Sequence, residues 1–159
     1  MSGPTFSSRG HAGATVAAQP HWELAGAAPA AAVLEALSRM AADATVLYLA
    51  GERLPPALHD ALAPDLEWSG YGGGEAVPSA YYWRVRATPA AWATLVRFAA
   101  GPEPGAAGDQ LWVFRHDAPV AEWAWAAGGP LRLAITVPAL AVRRWARALS
   151  LTATRRGAA

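Results

Sequence analysis

The sequence predicts a single α+β domain, with a mixed sheet of about five strands, ending in an antiparallel three-strand meander, and helices packed on one face. Three observations carry this expectation. At 159 residues the chain has the length of one domain and can bury a core without a metal or disulfide staple. Helical and strand-like hydrophobic patterns alternate through the first two thirds of the chain. Three short alternating segments then follow one another across turn residues, ahead of a last amphipathic helix.

Taken in order, residues 1–20 read as a flexible N-terminal arm, 21–152 as the globular domain and 153–159 as a disordered tail. A helix runs from about Pro29 to Ala42, with Val33, Leu37, Met40 and Ala41 on one stripe and Glu35 placed to pair with Arg39. Thr45–Ala50 is a strand. Pro55 or Pro56 opens a short helix carrying Leu58, Ala61 and Leu62, which Pro64 stops. After the strand Ala80–Ala87, Thr88 caps a helix that has Pro89 at its first position and Gly101–Pro102 beyond its end. Strand, helix and the strand Leu111–Arg115 make a right-handed crossover unit. The stretches Gly70–Gly74 and Gly101–Gly105 read as loops.

The meander comprises Leu111–Arg115, Val120–Ala126 and Leu131–Val137, and the helix Pro138–Leu149 follows. A loop of Gly128, Gly129 and Pro130 puts Trp123 and Trp125 on the same face as Leu131, Leu133, Ile135 and Val137, with Glu122 and Arg132 on the other. Pairing Arg115 with Val120 across a four-residue loop adds Trp112 and Phe114 to the apolar face, giving a Trp-rich core centre.

Absent residue types exclude chemistry. Without Cys there is no thiol nucleophile, thiolate zinc site or disulfide. All 13 basic residues are Arg, which removes the phosphate-loop and Schiff-base lysines. Asn is missing as well, a bias expected of GC-rich coding. A net charge of +1 gives no electrostatic case for nucleic acid. No apolar run approaches the roughly 18 residues that span a bilayer. The acid-free first 22 residues lack the compact apolar core of a secretory signal. A soluble, cytoplasmic protein without membrane contact is the expectation.

The candidate site is the sheet face opposite the aromatic one. Alternation gathers Tyr82, Arg84 and Arg86 on one strand, and Arg115, Glu122 and Arg132 project the same way in the meander. Arginines beside tyrosine suit carboxylate or phosphate recognition and stacking. This face suggests a non-catalytic protein-interaction module of the inhibitor, immunity or accessory type, with another protein as partner. The alternative is an enzyme or binder of a small anionic ligand, in which the arginines hold the anion and Glu122, His116 or His59 acts as acid or base. No cofactor or metal is expected. The dipeptides His59–Asp60 and His116–Asp117 cannot chelate locally, because neighbouring side chains diverge. Ser69 and Ser79 lack the flanking glycines of a nucleophile elbow. The glycines at 70–74 precede a strand rather than the helix of a dinucleotide fingerprint. Arg143, Arg144 and Arg147 suit the C-terminal half of a helix through its dipole. Trp22 and Trp68 lie in irregular stretches, suited either to partner contact or, for Trp22, to pinning the arm.

Overall fold

Eight extended segments pair edge to edge into one large sheet. The structure, a computed structural model, describes residues 16–50, 54–72, 80–101, 110–124 and 129–157. In chain order its elements are β1 (His21–Ala25), α1 (Ala30–Met40), β2 (Val46–Ala50), α2 (Pro56–Leu62), β3 (Leu66–Gly72) and β4 (Ala80–Arg86). They continue with α3 (Pro89–Ala99), β5 (Leu111–Arg115), β6 (Ala118–Trp123), β7 (Leu131–Ala134), α4 (Ala139–Ala148) and β8 (Thr152–Arg156). The strands run in the order β3-β4-β2-β5-β6-β7-β1-β8, and every neighbouring pair is antiparallel.

The α+β class stands, but the mixed five-strand sheet does not. The crossover from β4 through α3 to β5 exists, yet β2 lies between those two strands and is antiparallel to both. They therefore run the same way without ever pairing. Three strands were not read from the sequence. β1 sits next to the expected arm, β3 carries glycines at Gly70 and Gly72, and β8 falls where a disordered tail was expected. β8 has no large apolar residue, so hydrophobic alternation could not reveal it; backbone pairing with β1 holds it in place.

One core cluster joins all four helices to one side of the sheet. Val33, Leu34 and Leu37 of α1, Leu58 and Leu62 of α2, Trp92 and Leu95 of α3, and Val142 and Ala146 of α4 pack on Leu47, Trp83, Val85, Leu111, Val113, Leu131 and Leu133. Trp22 belongs to this core through β1, so it is a core residue. α3 begins as its punctuation requires: the Ala91 N–H donates to Thr88 Oγ1 at 3.1 Å, and that hydroxyl donates to Asp65 at 2.7 Å.

Register in the meander decides what faces away from the helices. The hairpin between β6 and β7 opens earlier than a three-residue loop implies, but by an even offset. Glu122 lies opposite Arg132, and Trp123 shares the core with Leu131 and Leu133, so the faces are as expected. Between β5 and β6 the offset is odd. The turn is the two-residue His116–Asp117, with His116 at φ 53°, and Arg115 pairs with Ala118. A bulge follows, so that Phe114 pairs with Pro119, Val113 with Ala121 and Trp112 with Glu122. The bulge also accommodates Pro119 in an interior strand. Leu111 and Val113 thus point to the helices, while Trp112 and Phe114 point to the opposite face. The expected aromatic centre of Trp112, Phe114, Trp123 and Trp125 does not form as a unit; Trp125 itself lies outside the described residues. So do residues 1–15, 73–74, 102–105 and 158–159 of the expected arm, loops and tail.

Candidate functional site

The face turned away from the helices divides into an aromatic half and a charged half. On β2, β4 and β5, alternation places Val46, Tyr48, Tyr82, Trp112 and Phe114 side by side as a second buried cluster, with Trp68 of β3 packed against it. Tyr82 meets Trp112 edge-on at 5.3 Å, and Tyr48 meets Phe114 at 5.5 Å. Tyr82 is only 1% exposed, and burial pushes its phenol up to about 12. Burial raises the Tyr48 phenol as well, partly offset by Arg84, whose Nη1 donates to Tyr48 Oη at 2.6 Å. Arg84 also lies over the Tyr48 ring and pairs with Glu67 at 3.2 Å; Glu67 sits at the irregularity where β3 shifts register between Leu66 and Trp68. Arg86, one pair further along β4, is exposed, donates to the Pro64 carbonyl at 2.7 Å and lies 3.8 Å from Asp65.

The charged half is built on β6, β7, β1 and β8. Glu122, Arg132 and Glu23 follow one another across three neighbouring strands, with Arg132 3.6 Å from Glu23 and 4.0 Å from Glu122. Arg156 of β8 approaches the other Glu23 oxygen at 3.7 Å. His21, 4% exposed, places Nδ1 2.7 Å from the Gln19 carbonyl and Nε2 3.2 Å from Glu23 Oε1. Both ring nitrogens thus lie within hydrogen-bond distance of acceptors. The hydrogen bond from His21, then the Arg132 and Arg156 charges, hold the Glu23 carboxyl below the usual carboxylate range. Glu122 goes the other way: burial raises it, and the Ala17 N–H, donating at 3.1 Å, and Arg132 offset this only in part. Residues 16–20 therefore meet the sheet at Glu122, with Val16 buried, so the end of the expected arm is docked on the domain.

Of the six residues expected to share a site, Tyr82, Arg84, Arg86, Glu122 and Arg132 do lie on one face. Arg115 does not. The odd register at β5 turns it to the helix side, where Nη1 donates to Asp43 at 2.8 Å and lowers that carboxyl. Arg84 and Arg132 are separated by β2, β5 and β6, about 19 Å at the usual strand spacing. Tyr82, two residues from Arg84 on β4, is inaccessible. The other candidate acids and bases hold local structure. His116 sits in the β5–β6 turn with its backbone N–H donating to Thr45 Oγ1 at 2.7 Å, and the His59 ring packs edge-on to Trp83 at 5.0 Å. Sequence reasoning missed His21, Glu23 and Arg156. Their signal was the alternation His21-Glu23 across Trp22, legible only once residues 21–25 are known to be a strand.

Among the described residues, no group of three or more His, Asp or Glu side chains is placed to hold a metal, and no helix is long and apolar enough to cross a membrane. Neither protein-family models, nor curated proteins, nor solved structures match the chain.

Proposed function

We propose that the protein is a non-catalytic interaction module of the inhibitor, immunity or accessory type, which meets another protein across the sheet face bearing Arg84, Arg86 and Arg132. The observation that carries this reading is the separation of its cations. Guanidinium groups about 19 Å apart cannot converge on one small anion, but a standard protein interface, roughly 800 Å² per partner, reaches both. Arg84 and Arg132 remain about one third exposed beside Glu67 and Glu122, which leaves them donors for a partner carboxylate.

The test is the double variant Arg84→Ala/Arg132→Ala against a partner identified by cross-linking and purified. Binding should weaken about tenfold or more, with a comparable melting temperature. Unchanged affinity would retire this face.

A second reading has one observation in its favour. Burial raises the Glu122 carboxyl, as in general acids, so an enzyme or small-anion site centred on Glu122 and Arg132 is the alternative. Under it, Glu122→Gln abolishes turnover or ligand binding while leaving the protein–protein affinity intact.

A further inference from the structure

The last acidic residue of the chain is Glu122, and Arg132, Arg143, Arg144, Arg147, Arg155 and Arg156 follow it with no Asp or Glu among them. The fold collects five of these at one margin of the molecule. Among the described residues β8 is the terminal strand of the sheet, and α4 lies against it. On α4, Leu140, Arg143, Arg144 and Arg147 recur at helical spacing on the exposed stripe, opposite buried Val142 and Ala146. Trp145 is turned toward α1, where Arg39 lies over its ring, so Arg143, on the other flank of the helix, is turned away from the helix layer. Arg155 is exposed on the neighbouring edge strand.

The helix dipole accounts for Arg147 alone, since Arg143 and Arg144 precede the last turn. Arg156 is engaged by Glu23 and Arg144 lies over Trp145, whereas Arg143, Arg147 and Arg155 have no ion-pair partner among the described residues. Leu140, 80% exposed, stands at the start of the same stripe.

We infer that this margin, the outer edge of β8 with the exposed stripe of α4, receives an extended acidic polypeptide segment as an added antiparallel or parallel strand. An edge strand offers unpaired backbone N–H and C=O groups for a further strand. The arginines beside it supply charge complementarity for Asp or Glu side chains of that segment, and Leu140 supplies an apolar contact. Pairing of β8 with a second copy is opposed, because it would bring two sets of uncompensated arginines together. The surface lies about 29 Å across the sheet from Arg84 and does not depend on the reading of that face.

The probe is a synthetic blocked peptide of about eight residues alternating Glu and Val, added to the full chain and followed by amide shifts. Expected are shifts concentrated in residues 139–148 and 152–156, slowed amide exchange along β8, and salt-dependent affinity. The variant Arg143→Glu/Arg147→Glu/Arg155→Glu should weaken binding by about tenfold or more, and Arg84→Ala by less than about twofold. Because charge reversal could impair folding, Arg143→Gln/Arg147→Gln/Arg155→Gln is measured beside it and should show an intermediate loss. The inference is overturned if the shifts lie elsewhere or if the glutamine variant binds as the parent does. It is also overturned if a single-stranded oligonucleotide or a phosphatidylserine vesicle engages these arginines more tightly than the peptide.

Discussion

Across the face turned from the helices, β4, β2 and β5 present Tyr82, Tyr48, Trp112 and Phe114, whereas β6, β7, β1 and β8 present Glu122, Arg132, Glu23, His21 and Arg156. The first half is held by edge-on ring contacts and burial, which are insensitive to salt and to ordinary pH. The second is a chain of alternating charges with a buried histidine at one end. The difference teaches that polarity on this face changes across the sheet, with β4 carrying Arg84 and Arg86 beside buried Tyr82. A row of aromatics makes one region structural, while charges leave the other adjustable.

The comparison breaks most sharply at Trp112. Trp112→Ala removes a ring 6% exposed that packs on Tyr82, and should cost about 3–5 kcal/mol in chemical denaturation. A loss below about 1 kcal/mol would show that the aromatic half is not a core. In the charged half, Glu23→Gln strips His21, Arg132 and Arg156 of their shared carboxylate and should cost about 1–2 kcal/mol near neutral pH. The Glu23 carboxyl is lowered in the fold, so its contribution is complete above the usual value of 4.5 and disappears as pH falls through the folded value. The gap between parent and variant should therefore close on acidification.

Tyr48→Phe deletes the hydroxyl that accepts from Arg84 and should cost about 1 kcal/mol. The phenols sharpen the same contrast spectroscopically. In an absorbance titration Tyr82 should ionise only near 12. Its raised value adds stability that is present below the usual 10.0 and lost as pH rises through the folded value. The smallest effect belongs to Glu122→Gln, within about 1 kcal/mol of the parent. Its sign is opposite to that of Glu23. A carboxyl raised by burial contributes stability below its usual value and loses it as pH rises through the folded one. The glutamine variant should match the parent in acid and gain on it toward neutral pH, as read by denaturation midpoints across the range.

Local chemistry wrote much of this protein into its sequence. Pro89 behind the Thr88 cap, the stripe of Val33 and Leu37, and the alternation of Tyr82, Arg84 and Arg86 each depend on neighbours a few residues away, and each stands in the structure. That Glu122 and Arg132 share a face was legible too, because an even register offset preserves faces, but their direct pairing was not. What only the tertiary structure decided rests on distant partners. β1 is held between β7 and β8, β8 is held by β1, and β2 separates β4 from β5. The His116–Asp117 turn shortens the expected loop by two residues, which keeps faces, and the one-residue bulge between β5 and β6 then reverses Trp112, Phe114 and Arg115 together relative to Trp123. Side-chain direction in a strand has period two, so a single bulged residue outweighs every propensity along the strand that carries it.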